Sequence, residues 1–245
     1  MKKILIILIL ILSVFSIANA HPFKSEKELY EYYAEIDKKI FAEKNKPIIR
    51  KKYPRKLSDK ELEQEQIPFS LKRYTVDEIV GNNKLVYNAF NYQLMSISQI
   101  NENNKEEGVI RIFDEDENLI SIAYIENSKG VMGIYREYYP WGVLKNETPY
   151  YTSEINGKLK NYYPDGLLKE EYTYYNNKKE GLATMYYESG QKFAIENYKN
   201  DLKNGDYYMY YENGNLGMKA FFVNGKREGT IGFYEEDGKK IEKNK

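Results

Sequence analysis

The chain has 245 residues, equal numbers of basic and acidic side chains (37 of each) and no cysteine. The balanced charge argues against a nucleic-acid partner, which needs a basic patch, and against a strongly anionic lipid surface. Without a thiol there can be no disulfide, thiolate nucleophile, thiolate metal site or cysteine-linked lipid, so packing and hydrogen bonds alone must hold the fold.

Residues 1–20 read MKKILIILILILSVFSIANA. Lys2 and Lys3 make a basic start, residues 4–17 are apolar apart from Ser13 and Ser16, and Ala18-Asn19-Ala20 gives a small-x-small ending. This is the pattern of a signal peptide cleaved before His21. The apolar run is short beside the roughly 20 residues of a spanning helix, and no later stretch approaches one. Export to the periplasm, cell surface or exterior is expected, with no integral membrane span after cleavage.

Residues 21–73 read as a helical lead-in and linker. Ser25 and Glu28 form a capping box. Leu29, Tyr33, Ile36 and Ile40 then share one face at helical spacing, which predicts a helix over 25–45 ended by Asn45 and Pro47. A second short helix is expected over 59–66, starting at Ser58 with Glu61 three residues on and stopping before Pro68. The basic connector 46–57 reads as a solvated linker.

From residue 74 short strand-like runs alternate with Asn/Gly turns. Residues 74–132 hold degenerate copies of a repeat that becomes strict over 133–245. Gly133, Gly157, Gly181, Gly205 and Gly229 recur every 24 residues, and so do Gly142, Gly166, Gly190, Gly214 and Gly238. Tyr138, Tyr162, Tyr186, Tyr210 and Tyr234 form an aromatic column, followed by Tyr139, Tyr163, Tyr187 and Tyr211. A fixed interval of this size marks a repeat architecture. In the copy 157–180, GKLKNYY reads as a strand, PDG as the turn and LLKEEYTYY as the return strand. Gly166 supplies the positive φ of a three-residue bulged loop, which sets Tyr163 opposite Leu167 and Tyr162 opposite Leu168. Residues 176–180 connect to the next hairpin. A helical solenoid would lose about 1 kcal/mol at each interior glycine.

The expected fold is mainly β: an elongated antiparallel meander of 24-residue hairpins, with a short α-helical segment before it. Because the repeat length is even, equivalent residues face one side. One face is expected to carry the Tyr138 column, Leu144/Leu168/Leu216 and Tyr150/Tyr174/Tyr198/Phe222. The other carries Tyr139/Tyr163/Tyr187/Tyr211 with Tyr135, Leu159, Ala183, Tyr207 and Ile231.

The motifs Tyr186-Tyr187-Glu188-Ser189-Gly190, Tyr210-Tyr211-Glu212-Asn213-Gly214 and Asn224-Gly225-Lys226-Arg227-Glu228-Gly229 resemble MORN repeats of the bacterial type 2 variant, the kind found in the YwqK-like antitoxin family. The resemblance covers residues 133–245 and, loosely, 84–132. It implies a scaffold or interaction module, and the antitoxin branch implies a cytoplasmic toxin partner, which a signal peptide contradicts. The hairpins are also similar to choline-binding and toxin-tail repeats, whose aromatics stack on ligands, although those carry regular tryptophan and this chain has only Trp141.

Few residues invite chemistry. His21, the single histidine, lacks the second histidine of a copper brace. Asp114-x-Asp116-x-Asn118 begins like a calcium loop, but Leu119 stands at the glycine position and Ile125 at the bidentate glutamate. No acidic pair is set apart from the repeat lattice, so no catalytic residue, metal ligand or cofactor is assigned and no enzyme is expected. The candidate partner-binding residues are Tyr139, Tyr163, Tyr187 and Tyr211, amphipathic contact residues on one face, and Trp141, an aromatic at a turn tip. The expected function is an exported protein-interaction or scaffold module at the cell envelope or in host contact. A glycan-binding aromatic array and, if residues 1–20 are no signal, an antitoxin are the alternatives. The open sheet ends make a homodimer conceivable.

Overall fold

A computed structural model describes residues 23–51, 55–58, 60–61, 75–89, 91–126 and 129–242. The expected signal peptide, His21 and most of the expected helix over 59–66 lie outside the described residues. At the start of that helix Ser58 donates both its N–H and its hydroxyl to the Glu61 carboxylate, at 2.9 and 2.7 Å.

Helix α1 runs Glu26–Lys44. The Ser25 hydroxyl accepts from the Glu28 N–H, an otherwise orphaned donor of the first turn, while the Glu28 carboxylate reaches back past the cap to accept from the Lys24 N–H. Leu29, Tyr33, Ile36 and Ile40 are the buried residues of α1.

Among the described residues sixteen strands follow in one antiparallel sheet. They are β1 (Thr75–Val80), β2 (Asn83–Asn88), β3 (Leu94–Ile100), β4 (Glu106–Phe113), β5 (Leu119–Glu126), β6 (Gly130–Tyr138), β7 (Leu144–Tyr151), β8 (Glu154–Ile155), β9 (Gly157–Tyr162), β10 (Leu168–Tyr175), β11 (Lys178–Tyr186), β12 (Lys192–Lys199), β13 (Leu202–Lys203), β14 (Gly205–Tyr210), β15 (Leu216–Val223) and β16 (Lys226–Phe233). Each strand pairs with its neighbours in sequence, apart from the two-residue β8 and β13, which pair only with β7 and β12. The strands of 75–126 belong to the same sheet as the strict repeats.

Two kinds of turn produce the meander. Within a repeat, Gly142, Gly166, Gly190, Gly214 and Gly238 take φ between 83 and 93°. The Tyr163 N–H donates to the Leu167 carbonyl at 2.8 Å and Leu168 pairs with Tyr162, the expected register. Between repeats, Thr152-Ser153, Asn176-Asn177, Asn200-Asp201 and Asn224-Gly225 all have positive φ, as a type I′ two-residue turn requires. The expected five-residue connector 176–180 is therefore only two residues long, and β11 begins at Lys178.

A bulge follows the turns at Gly142, Gly166, Gly190 and Gly214. Tyr138 pairs with Leu144 but Glu137 with Asn146; Tyr162 pairs with Leu168 but Asn161 with Glu170. The extra residue reverses which face the rest of the strand presents. Tyr150, Tyr174, Tyr198 and Phe222 consequently lie on the face opposite the Tyr138 column, not with it as counting by twos predicts. Ring contacts between Tyr135 and Tyr150 at 6.3 Å and between Tyr207 and Phe222 at 6.1 Å follow from this reversal.

One cross-strand row traces the other face across the sheet. It runs Leu85, Ile97, Arg111, Ile122 and Arg136, then Glu147, Lys160, Glu171, Thr184, Ile195, Tyr208 and Lys219, each paired with the next. The first five are buried. Helix α1 covers β4–β6, where Ile36 and Ile40 pack with Val109, Ile122, Met132 and Tyr138. A neighbouring cluster of Leu85, Tyr87, Leu94, Ile97 and Phe113 is closed over by Ile48 from the connector. Full burial of such side chains stabilises the fold by about 1.5–3 kcal/mol each. A Cβ on Gly133 would stand 2.6 Å from Ile36 Cγ2, so this glycine lets the helix approach as well as permitting a φ of +77°.

Candidate interaction surface

The second tyrosine column ties hairpin to hairpin. The Tyr139 hydroxyl donates to the Tyr162 carbonyl at 3.0 Å, Tyr163 to Tyr186 at 2.8 Å, Tyr187 to Tyr210 at 2.8 Å and Tyr211 to Tyr234 at 2.9 Å. All four candidate binding tyrosines thus carry the same structural bond, and their rings remain part-exposed. Burial raises the hydroxyl pKa of Tyr163 and Tyr187. Two of the rings lie beside the bulge residue of their own hairpin: Tyr187 meets Phe193 edge-on at 5.1 Å, and the Lys169 ammonium sits 5.8 Å from the centre of the Tyr163 ring.

A second ladder joins the turns between repeats. The Asn177 N–H donates to the Ile155 carbonyl while the Ile155 N–H donates to Asn177 Oδ1, at 3.1 and 2.8 Å. Asp201 exchanges the same two bonds with Lys179, and Ser153 with Val131. At Gly225 the backbone bond to the Lys203 carbonyl persists at 2.8 Å, and glycine has no side chain to return it. Sequence reading missed this ladder, although the Ser, Asn, Asp and Gly of these turns recur at the repeat interval.

The helix is pinned by charge as well as by packing. The Arg136 guanidinium makes a bidentate pair with Asp37, 2.8 Å on each arm, and donates through Nε to Glu147 at 3.0 Å. The Tyr162 hydroxyl donates to the other Glu147 oxygen at 2.8 Å. Burial works against the Arg136 cation, yet the bonds and charges of Asp37 and Glu147 outweigh it and its pKa stands above the ordinary value. Further bonds fasten the start of α1 to the first strict repeats: the Tyr33 hydroxyl donates to the Asn156 carbonyl and the Lys158 N–H donates to the Tyr30 hydroxyl.

Beyond β9 the helix-covered face has no layer over it among the described residues. Tyr208 and Tyr210 lie 6.4 Å apart on it, with Ile195 paired to Tyr208, and Leu182 and Phe221 are 51% and 45% exposed. At Gly181, one repeat past the Tyr30 contact at Gly157, the space is open. The opposite face is knit from within. Tyr172 meets Tyr198 edge-on at 6.3 Å, Lys179 Nζ sits 3.8 Å from the Tyr172 ring centre, and Ala183, Ala194 and Ala220 are buried.

Trp141 stands apart at a turn tip, 61% exposed and stacked on Tyr139 at 4.9 Å. Its indole N–H donates to the Pro164 carbonyl at 3.2 Å. Three repeats on, the Asn213 amide makes the equivalent bond to the Glu236 carbonyl at 2.9 Å, so the indole replaces an amide in this role. The Asp114 carboxylate accepts from the N–H groups of Asp116 and Asn118 and so closes its own turn.

Residues 155–177, 179–200 and 203–224 each match the model of the MORN repeat variant. These are three consecutive MORN repeats. MORN repeats serve in general as modules for binding proteins or membranes. Each matched unit ends on a turn between repeats, at Asn177, Asn200 or Asn224. No curated protein matches the chain in sequence. A crystal structure of TarM aligns with 11% identity over 82% of this chain and 26% of that one, at a TM-score of 0.20. A point mutant of S. aureus TarM in complex with Fondaparinux, alpha-GlcNAc-glycerol and UDP aligns with 13% identity over 81% and 27%, also at 0.20. The chain spans about a quarter of the length of those TarM chains, and at such scores the alignments carry no argument. The open stretch of the helix-covered face begins on the first of the MORN repeats and runs across the other two. Among the described residues no helix is long and apolar enough to cross a membrane.

Proposed function

We propose that this protein is an exported, non-catalytic module that binds a protein partner at the cell envelope or in contact with a host. The partner docks on the part of the helix-covered face that α1 leaves open. One observation carries the reading: a continuous row buried under the chain's own helix at one end has no cover among the described residues over the MORN repeats, where Leu182 and Phe221 are exposed and Ile195, Tyr208 and Tyr210 half-buried. Apolar and aromatic side chains left together in this way mark interaction sites. Tyr139, Tyr163, Tyr187 and Tyr211 hold the hairpins in register and offer ring surface on the opposite face. Export is supported by the basic, apolar and small-residue pattern of residues 1–20.

Two measurements test this. The N-terminal sequence of the protein recovered from the producing cell is expected to begin at His21; a start at Met1 returns the chain to a cytoplasmic, antitoxin-like reading. Capture from envelope and host extracts with the full chain is expected to recover a protein partner that the Ile195→Asp/Phe221→Asp variant loses. Failure to recover any partner, or equal recovery by a folded variant, overturns the proposed surface.

A further inference from the structure

Beside Trp141 lies a shallow cleft of about 430 Å³ lined by Lys44, Asn45, Asn118, Leu119, Tyr138 and Trp141 among others. That volume falls in the range of small-ligand sites. It forms where the end of α1 meets the turns before β5 and after β6, so residues far apart in sequence converge on it.

Its chemistry is specific. Tyr139 covers one face of the indole, in a stack tilted by only 4°, and the bond to Pro164 fixes the ring's orientation. A rigid aromatic platform is therefore presented to solvent with its single N–H already satisfied, so it contacts a ligand through its π surface alone. Around it stand two amides and one ammonium. Asn118 Nδ2 donates to the Asp114 carboxylate at 3.2 Å, leaving its Oδ1 as an acceptor. Asn45 follows α1 as an exposed cap residue. Lys44 Nζ lies 4.2 Å from the centre of the Tyr138 ring. No carboxylate lines the cleft.

A flat aromatic surface flanked by mixed donors and acceptors suits a ligand that has an apolar C–H face and a rim of hydroxyls. We infer that the Trp141 cleft is a binding site for a pyranose sugar, which stacks on the indole surface that Tyr139 leaves uncovered and hydrogen-bonds at its edge to Asn45, Asn118 and Lys44. The site lies at the tip edge of the sheet, away from the open stretch of the helix-covered face, and does not depend on the protein-partner reading.

Trp141 is the only tryptophan, so its fluorescence reports on this site alone. The full chain is titrated with glucose, N-acetylglucosamine and N-acetylneuraminate. At least one is expected to change the emission saturably, with a dissociation constant on the order of 1 mM. Asn118→Ala, folded by circular dichroism, is expected to weaken that binding about tenfold, the loss of one hydrogen bond at the ligand. Asn45→Ala provides the same test should Asn118→Ala fail to fold. No response to any of the three at about 50 mM, well above that constant, overturns the inference. So does an affinity unchanged in a folded amide variant, or a response to a polyproline peptide but to no sugar.

Discussion

The Tyr163 hydroxyl reaches out of its own hairpin and donates, at 2.8 Å, to the Tyr186 carbonyl of the next. Tyr187 repeats the bond to Tyr210. The side chain of each copy thus satisfies backbone that its successor would otherwise leave to water. Replacing Tyr163 or Tyr187 by phenylalanine keeps the ring and deletes the bond, and should cost about 1 kcal/mol per site. Urea unfolding monitored by far-ultraviolet circular dichroism measures it. A pair of changes in adjacent hairpins tests coupling, because array stability resides in nearest-neighbour terms.

Arg136 faces two carboxylates, Asp37 from α1 and Glu147 from β7, and its side chain is only 8% exposed. Arg136→Ala strands both anions in a poorly hydrated site and should destabilise by about 3–5 kcal/mol. Asp37→Asn leaves Arg136 its Glu147 partner and should cost less. Hydrogen exchange is expected to show α1 amides losing protection first in both variants, while β12–β15 hold theirs.

Gly133 and Gly181 occupy the same place in the repeat, two copies apart, with φ of +77 and +87°. A side chain strains either backbone by about 1–2 kcal/mol. Only at Gly133 would the new Cβ also meet Ile36, and overpacking there adds a further cost of about 1–3 kcal/mol. Gly133→Ala should therefore lower the unfolding midpoint well beyond Gly181→Ala. Equal effects would mean that α1 does not rest on this glycine in solution.

Among the four turns from 152–153 to 224–225, Gly225 is the tip without a side chain to complete the reciprocal bond. Asp201 completes it with the Lys179 N–H at 2.8 Å. A Cβ at Gly225 would make ordinary contact with Leu202 at 3.5 Å. Asn tolerates the left-handed conformation, so Gly225→Asn should stabilise the last repeats by about 0.5 kcal/mol. Comparison of thermal midpoints, with Gly225→Ala as the strained control, decides it.

Alkali should unfold this protein through its tyrosines. Burial raises the Tyr30 and Tyr32 hydroxyls from the ordinary 10.0 to about 12, and pushes Tyr162, Tyr172 and Tyr198 upward with help from neighbouring glutamates. The native state therefore holds these protons more tightly than the unfolded state does. Stability is unaffected below pH 10 and falls as pH rises from 10 through 12. The last part of the tyrosinate absorbance, from the buried hydroxyls, should appear together with the loss of the circular dichroism signal. Ionisation of all the tyrosines near pH 10 with the sheet signal intact would contradict the burial.

Much of this fold is legible in the residues. Gly166 and Gly190 mark the turns, Leu29 to Ile40 mark the buried stripe of α1, and the Tyr163 to Leu167 register follows from turn geometry. The assignment of faces after each turn is not legible. The bulge residues Lys145, Lys169, Phe193 and Gly217 share no chemistry, so nothing in the sequence announces the extra residue that sends Tyr150 and Phe222 to the other side. The candidate binding tyrosines are recognisable as a column, but their hydroxyl bonds depend on how closely adjacent hairpins lie. The Trp141 cleft needs Lys44 brought to Trp141 by the docking of α1, a convergence that spacing along the chain does not express.

Because each hairpin past β9 is bonded only to the one before and the one after it, the gene can gain or lose a 24-codon unit there without disturbing the remaining copies. Length is in this sense an adjustable property of the molecule. The segment beneath α1 has no such freedom, since Tyr30, Tyr33, Ile36 and Asp37 each meet a different strand position and fix the count of copies they straddle. Natural variation in copy number should accordingly accumulate toward the C-terminus and leave the helix-bearing end at constant size.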